Sequence, residues 1–425
     1  MADVVPNESH LKHPLFLNAV EIMREAGKLI NCDNNVMERI TKPKRSVIVS
    51  VPVRMDDYTV RVFQGYRVQY NATLGPFKGG IRYHQSVDLG EVTGLACLMT
   101  LKNSVMGLPY GGGKGGVCVD PTKLSRTEKQ NLTRRYTSEI GQFIGPSKDI
   151  PAPDVGTDSQ TMAWMMDTYS QEQGYSIAGV VTGKPLELGG SLGRNGATGL
   201  GVVFVTEKAF EKKNKPMKGA TIAVQGFGNV GSHAALYSWE RGAKVVALSD
   251  VSGGIFNGDG FNIPEVMEYV KQNKVIAGYP KSQKITNEEL LFLDVDCLMP
   301  CALENQITEE NAEKIKAKMI VEGANGPVTN AATRILHKNG IYVVPDVIAN
   351  GGGVVVSYFE WVQDIMSFFW EEDEINNRLK GIITKAFDKC FAMGQEKNVD
   401  LRSAAVAVGV QRLEKAMLLR GLYPR

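Results

Sequence analysis

The sequence predicts an α/β protein of two domains, the second built on a doubly wound parallel sheet. Three observations carry this expectation. The chain has 425 residues, more than the roughly 250–300 at which a single hydrophobic core stops growing. From Ala220 to about Val344 short apolar runs alternate with segments of helical period, as in parallel strands joined by crossover helices. A glycine string, Gly226-Phe-Gly-Asn-Val-Gly231, stands between one such run and a helical segment. Two domains imply a cleft between them.

Composition narrows the function classes. With 43% hydrophobic and 22% charged residues and no low-complexity tract, the chain is of ordinary globular type. A formal charge of +2 offers no broad attraction for nucleic acid or an anionic membrane, and neither partner is expected. The start, MADVVPNESHLKHPLF, lacks a basic stretch followed by an apolar one. No run approaches the roughly 18 apolar residues of a membrane span, so a cytoplasmic location is expected. The six cysteines form no CxxC pair and read as buried free thiols. His10 and His13 have no third ligand nearby, so no metal is expected.

Along the chain, Phe16–Leu29 is an amphipathic helix by pattern, and the stretches from Ser46 to Val53 and Tyr58 to Tyr70 alternate like half-buried strands. Ser125 and Glu128 have capping-box spacing at the start of a helix running to Ile144. The glycine-rich stretch Gly189–Gly199 is the candidate hinge. Beyond it come a helix near Leu200–Lys213, a strand at Ala220–Gln225, and strands beginning at Lys244, Val295, Met319 and Ile341. From Ser357 the pattern is mainly helical, closing with Ala404–Leu419.

The glycine string has the context that makes it a Rossmann dinucleotide fingerprint: strand before, helix from about Ser232 after. Gly226 would permit the tight turn, Gly228 the backbone approach to the pyrophosphate, and Gly231 close helix–strand packing, with Asn229 and Val230 between them. An acid is expected about 20 residues further on to hold the adenosine ribose, and Asp250 fits. No base adjoins Asp250. NAD is therefore the expected cofactor, with NADP as the alternative.

Three lysines of the first half sit among small residues: Gly75-Pro-Phe-Lys78-Gly-Gly-Ile-Arg, Met99-Thr-Leu-Lys102-Asn, and Gly111-Gly-Gly-Lys114-Gly-Gly. Glycines beside a cation let backbone and ligand come close. A phosphate-gripping P-loop is excluded, because GxxxxGK[ST] needs Gly at 108 and Ser or Thr at 115, where the chain has Leu108 and Gly115.

The ordered blocks GPFKGGIR, LPYGGGKGG followed by Asp120-Pro121, Pro151-Ala-Pro-Asp154, GFGNVG and Asn350-Gly-Gly-Gly-Val-Val-Val-Ser357 resemble the glutamate dehydrogenase branch of the Glu/Leu/Phe/Val amino-acid dehydrogenases, from about residue 15 onward. That resemblance implies a catalytic Lys114 and a proton-shuttling Asp154. It implies Lys102 on the substrate α-carboxylate and Lys78 with Ser357 on the distal carboxylate, with Ala152, Thr182 and Val354 lining the pocket. Thr198, Asn229 and Asn350 match cofactor contacts, and Asn325 would lie beside the cofactor. Residues 1–190 would form a substrate-binding and assembly domain, 191–402 the Rossmann domain, and a helix at about 403–425 would pack back on the first. Glutamate, 2-oxoglutarate and ammonium are the implied small molecules, and a homohexamer the implied assembly. The helical antenna of the animal enzymes is not implied, and Met99 stands where some members have Gln.

Chemistry supports these roles independently. Hydride loss from the amine-bearing Cα gives an iminium that water must attack, so the site needs a base neutral near pH 7. A lysine becomes one when desolvated and crowded by cations, for which Lys78 and Lys102 are the expected neighbours. A leucine, valine or phenylalanine dehydrogenase would replace the distal anchors with apolar groups, so Lys78 and Ser357 argue against it. A catalytically silent dinucleotide-binding scaffold would lack the base or relay, and both are present.

Overall fold

The alternating stretches of the first half become β1 (Arg45–Arg54) and β2 (Val60–Asn71), and three further strands join them: β3 (Phe77–His84), β4 (Gly112–Cys118) and β5 (Asp149–Pro153). In this computed structural model, which describes residues 9–423, they form one sheet of order β1-β2-β4-β3-β5. The pairs β1–β2 and β2–β4 are antiparallel, while β3 runs parallel to both β4 and β5. The period of two holds in β1, where Val51 and Val53 are buried while Pro52 and Arg54 are exposed.

Strands β3, β4 and β5 were not legible as strands, because glycine, proline and lysine disfavour them locally. Packing decides instead. A Cβ on Gly79 would stand 1.7 Å from the Gly113 carbonyl oxygen, and one on Gly112 would stand 2.1 Å from Thr100 Oγ1. These glycines admit neighbouring backbone and helix.

Around this sheet lie α1 (Pro14–Leu29), α2 (Asn34–Ile40), α3 (Leu89–Val105), α4 (Arg126–Ile140) and α5 (Ser159–Gln173). Helix α1 is capped by His13 Nδ1, which accepts from the Leu15 amide at 3.3 Å. The α4 capping box is present, with Ser125 Oγ accepting from Glu128 N at 3.1 Å and Glu128 Oε2 from Ser125 N at 2.9 Å. The helix stops at Ile140, four residues short of the expected end, in a turn where the Phe143 amide donates back to the Ile140 carbonyl. Leu132, Tyr136 and Ile140 of α4, at i, i+4 and i+8, are wholly buried against Val51, Ile81, Val117 and the α5 methionines Met162 and Met165. Burying a Leu or Ile side chain of this kind is worth about 1.5–3 kcal/mol. Among the described residues no helix is long and apolar enough to cross a membrane. The six cysteines are free thiols, Cys118 only half-buried. Of the N-terminal stretch from which a cytoplasmic location is expected, residues 1–8 lie outside the described residues.

The second sheet has order β12-β11-β10-β6-β7-β8-β9, from β6 (Thr221–Gln225), β7 (Lys244–Asp250), β8 (Gly253–Phe256), β9 (Gln283–Ile285), β10 (Cys297–Pro300), β11 (Met319–Val321) and β12 (Tyr342–Val344). The pairs among β12, β11, β10, β6 and β7 are parallel. The edge departs from the expected all-parallel sheet: β8 is antiparallel to β7, and β9 to β8. Only Val251 and Ser252 separate β7 from β8, enough for a hairpin and far too few for a parallel crossover.

Helices α6 (Ala197–Lys212), α7 (Asn229–Glu240), α8 (Ile263–Asn273), α9 (Asn287–Leu291), α10 (Asn330–Lys338) and α11 (Asp346–Ala349) accompany this sheet, and α12 (Gly352–Met366), α13 (Glu372–Lys397) and α14 (Leu401–Arg420) follow. Helix α7 starts at Asn229, three residues before the expected Ser232, because Gly228 is its extended N-cap. Leu290 and Leu336 pack with Ala223, Leu298 and Ile320 on one sheet face.

The chain groups into two compact units. The first holds residues up to Leu192 with Ser357–Glu372 and the stretch from Val406; the second holds Gly193–Val356 and Asp373–Ala405. The expected range 191–402 therefore differs at Ser357–Glu372. That stretch belongs with the first unit because Tyr358 and Trp361 of α12 pack their rings on Tyr110, at centroid distances of 5.8 and 5.5 Å.

Candidate active site

Lysine 114 projects from β4, a central strand, and its side chain is only 6% exposed. Its Nζ lies 2.9 Å from Asp154 Oδ1, just beyond the end of β5. Asp154 Oδ2 accepts from Arg82 Nε at 2.7 Å, and Arg82 Nη1 donates to Glu91 Oε1 at 2.6 Å. Burial pulls the Lys114 pKa below the ordinary lysine value; Asp154 opposes this, while Arg82 and Arg67 add to it. The cations that lower Lys114 are thus Arg82 and Arg67 rather than the expected Lys78 and Lys102. Burial raises Asp154, but Lys114 and Arg82 outweigh it and hold the carboxyl below the usual range. The result is a partly desolvated amine with an ionised carboxylate in hydrogen-bond reach, the arrangement needed to accept and pass protons.

Beneath this pair Arg67 and Asp149 are both fully buried. Arg67 Nε donates to Asp149 Oδ2 at 2.9 Å, its Nη2 to Oδ1, and its Nη1 to the Gly79 carbonyl at 3.2 Å. Gln69 Nε2 donates to Asp149 Oδ2 at 3.0 Å. A two-point, further hydrogen-bonded pair is the form in which buried charges are tolerated. It ties β2, β3 and β5 together.

Lysine 78, on the neighbouring strand β3, is 1% exposed. Its Nζ donates to Thr182 Oγ1 at 2.7 Å and to the Ile150 and Pro151 carbonyls at 3.3 Å. Ala152 is buried on β5, Ser357 is buried on α12, and Lys102 is half-buried on α3. Lys78, Lys102, Lys114, Ala152, Asp154, Thr182 and Ser357 thus all belong to the first unit, while Val354 belongs to the second. Met99 Cγ lies 3.4 Å from where a Cβ on Gly79 would stand.

In the second unit the three fingerprint glycines have three different surroundings. Gly226 has φ of 89°, a conformation that favours glycine. A Cβ on Gly231 would stand 1.8 Å from the Gly226 carbonyl oxygen, whereas one on Gly228 would meet nothing within 4 Å. Space at Gly228 beside the α7 N-terminus, whose first N–H groups lack helical acceptors, suits a pyrophosphate. Asn229 Nδ2 donates to the Asn195 carbonyl at 3.0 Å, and Val230 occupies the first turn of α7. Asp250 Oδ1 accepts from Ser252 N at 2.7 Å and from Ser252 Oγ, and its Oδ2 from Ile276 N at 2.7 Å, which leaves acceptor capacity on Oδ2 for a ribose hydroxyl. Asn350 Nδ2 donates to Asn325 Oδ1 at 2.8 Å and to the Ala324 carbonyl at 3.1 Å. Thr198 Oγ1 lies 2.8 Å from where a Cβ on Gly353 would stand. Among the described residues no group of three or more His, Cys, Asp or Glu could hold a metal ion.

The Glutamate/Leucine/Phenylalanine/Valine dehydrogenase family model matches residues 189–421, and the Glu/Leu/Phe/Val dehydrogenase dimerisation domain matches residues 43–171. The chain belongs to this dehydrogenase family. Within it, the glutamate dehydrogenase of Thermotoga maritima is 54% identical over 411 residues, 96% of this chain and 99% of that protein. An NAD-specific glutamate dehydrogenase of Staphylococcus aureus is 46% identical over 400 residues, 94% of this chain and 96% of that one. Among solved structures, the hetero-hexameric glutamate dehydrogenase of Thermus thermophilus in its leucine-bound form superposes with a TM-score of 0.91 at 40% identity, covering 97% of this chain and 98% of that chain. The Peptoniphilus asaccharolyticus glutamate dehydrogenase gives 0.88 at 40% identity, over 96% and 100%.

Sequence reasoning missed several charged groups of this family member. Arg82 carried a usable signal, since it stands four residues after Lys78 on one strand and so on the same face. Arg67–Asp149 and the Arg402–Glu322–Asp346 group carried none, because their partners are 82, 80 and 56 positions apart. In the latter, Arg402 Nη2 meets Glu322 Oε1, and burial pushes the Glu322 carboxyl up to about 8 against the pull of Arg402. Glu322 Oε2 also accepts from Asp346 N at 2.8 Å, and Asp346 Oδ2 from Gly326 N at 2.9 Å, which braces the loop carrying Asn325.

Proposed function

We propose that this dehydrogenase catalyses the reversible oxidative deamination of L-glutamate to 2-oxoglutarate and ammonia, passing the hydride to NAD, with NADP as the alternative acceptor. The observation that carries this reading is the Lys114–Asp154 pair, its lysine buried in the same sheet as Lys78 with its Thr182 partner. The similarity to glutamate dehydrogenases over nearly the whole chain supports it, and the name of the NAD-specific relative supports the cofactor.

Lys102 anchors the substrate α-carboxylate, and Lys78 with Ser357 the distal one, two separate cations for two carboxylates. Ala152, Thr182 and Val354 line the chain between them. Bound NAD would accept the hydride from Cα, held at its pyrophosphate by Gly226, Gly228, Asn229, Val230 and Gly231, at its ribose by Asp250, and elsewhere by Thr198, Asn325 and Asn350. Neutral Lys114 takes a proton from the water whose oxygen bonds to the resulting iminium carbon. Asp154, which takes a proton from the substrate ammonium before hydride loss, returns it to the carbinolamine nitrogen; the C–N bond breaks, ammonia leaves, and the hydroxyl proton passes to Asp154 and on to solvent as the carbonyl forms.

The working assembly is a homohexamer formed through the first unit, in the cytoplasm. Supporting this, β1 is an edge strand, and Ile48, Val60 and Val62 are each more than half exposed on β1 and β2, an edge that pairing with another copy would cover. Light scattering that reports a monomer at assay concentrations would remove the assembly claim.

Reduction of NAD, followed by the reduced nicotinamide absorbance, tests the activity with glutamate set against leucine, valine and phenylalanine. Glutamate should have the highest kcat/KM, and NAD a higher value than NADP. A higher kcat/KM for an apolar amino acid would overturn the substrate assignment.

A further inference from the structure

Three charged side chains of the first unit have no part in the mechanism above, yet they are fully buried. Lys184 Nζ lies 2.7 Å from Glu360 Oε1 and 2.8 Å from Asp364 Oδ2, and all three side chains have zero exposure. Glu360 does more than pair with the amine. Its carboxylate accepts from the Gly183 amide at 2.9 and 2.8 Å and from the Lys184 amide at 3.2 Å. Lys184 Nζ also donates to the Val181 carbonyl at 2.9 Å. The residue caught between these contacts is Thr182: the carbonyl before it and the amide after it are both held.

On the other side of the cluster is α12. Ser357, Glu360 and Asp364 stand at i, i+3 and i+7, which places them on one helical face. The face that presents Ser357 is therefore the face that grips the Thr182 segment. Gly183 is part of the same construction. Its φ is 87°, and a Cβ there would stand 2.5 Å from the Pro153 ring, beside Ala152. Two carboxylates around one amine leave an excess negative charge in a buried place. Burial, with Glu360 adding to it and Lys184 opposing, pushes Asp364 up to about 6, and its Oδ1 is buried with no hydrogen-bond partner among the described residues. Apolar residues of similar volume would often be as stable as such a cluster. Stability alone therefore does not account for it.

We propose that Lys184, Glu360 and Asp364 are positioning residues that clamp the Val181–Lys184 segment to α12, setting the placement of the Thr182 and Ser357 hydroxyls around Lys78 and hence selectivity for a distal carboxylate. This rests on the reading of Lys78 and Ser357 as the distal anchor. The three side chains have no exposed surface with which to meet a ligand. The cluster acts through Thr182, whose Oγ1 accepts from Lys78 Nζ, and through the helix that carries Ser357.

The test compares kcat and KM for glutamate and for norvaline, which lacks the distal carboxylate, in the parent, Glu360→Gln, Asp364→Asn and Lys78→Leu enzymes. The clamp variants should lower the glutamate-to-norvaline ratio of kcat/KM by about tenfold, through glutamate KM, with norvaline kcat retained. A purely structural role would lower both substrates together and leave the ratio unchanged, which overturns the proposal. Lys78→Leu separates the two failures. If it shifts the ratio and the clamp variants do not, the clamp is wrong and the distal anchor stands; if it does not shift the ratio, the anchor is wrong and the clamp falls with it. Should the clamp variants fail to fold, amide hydrogen exchange in the parent decides: Gly183 and Lys184 should exchange slowly, and exchange as fast as in an open loop would overturn the proposal.

Discussion

The two sheets solve the problem of placing polar chemistry in opposite ways. In the seven-stranded sheet β10, β11 and the middle of β6 and β7 are apolar, and the candidate cofactor residues follow strand ends: Gly226 after β6, Asn325 after β11, Asn350 after β12, with Asp250 closing β7. In the five-stranded sheet the charges stand within the strands themselves, Arg67 on β2, Lys78 and Arg82 on β3, Lys114 on β4 and Asp149 on β5, nearly all of them buried. Loop-borne groups can draw on water and on free backbone donors. Strand-borne charges cannot, so each needs a fixed partner. A dinucleotide phosphate is met by backbone dipoles at a helix start, whereas an amine at which protons must be moved needs a base whose pKa is depressed, and that requires burial.

That contrast is most exposed to test at Lys114. Replacing Lys114 by Ala, or Asp154 by Asn, should lower kcat by at least the roughly 10²–10⁴ credited to acid–base catalysis, with more expected for Lys114 because it also faces developing charge. NAD binding, measured by fluorescence titration, should be unaffected, since the cofactor residues belong to the other sheet. Near-normal turnover of Lys114→Ala would break the comparison at its centre.

A second expected effect concerns substrate choice. The double variant Lys78→Leu, Ser357→Val removes the cation and hydroxyl assigned to the distal carboxylate, at about 1.5–3 kcal/mol per charge-assisted bond lost. Activity with glutamate should collapse while norvaline is still oxidised, and the single variants need not add because both groups bind one carboxylate. An unchanged glutamate-to-norvaline ratio of kcat/KM would refute the assignment.

Arg82 sharpens the comparison through pH. It lowers both Asp154 and Lys114, so Arg82→Gln should let both rise. Because activity needs Lys114 neutral, its pKa sets the acid limb of the kcat/KM profile, which should move to higher pH by on the order of one unit, about 1.4 kcal/mol. The same sign governs stability: the Asp154 contribution is present above the ordinary carboxylate range and is lost as pH falls through its lowered folded value. An acid limb that stays in place in Arg82→Gln would show that Arg82 does not tune the pair.

The smallest effect is expected on the loop-borne side. Val251 is fully exposed next to Asp250, so an Arg introduced there together with Asp250→Ser has room to meet a 2′-phosphate. The NADP-to-NAD ratio of kcat/KM should rise roughly tenfold, about 1.4 kcal/mol. A parent enzyme that already prefers NADP would contradict the reading of Asp250.

How much of this was legible followed from how local each signal is. The Gly226–Gly231 motif, the β6–β7 spacing to Asp250 and the Ser125–Glu128 cap depend on residues close together in sequence, and periodicity with turn chemistry is enough to read them. Helix α7 and the end of α4 shifted by a few residues, the usual uncertainty of boundaries set by caps and turns. By itself the sequence determined two domains, the seven-stranded sheet's parallel core, the glycine fingerprint and the identity of the lysines worth testing. Only the tertiary structure decided that the glycine-rich lysine blocks are the central strands β3 and β4, because what permits a strand there is the absence of Cβ atoms where Gly113 and Thr100 press in. Only it decided that Arg82 and Arg67 crowd Lys114, that Asp149 answers Arg67, and that Glu360 holds the segment of Thr182. Those partners are separated by tens to nearly two hundred residues, and no local pattern records which charge will neutralise which once water is excluded.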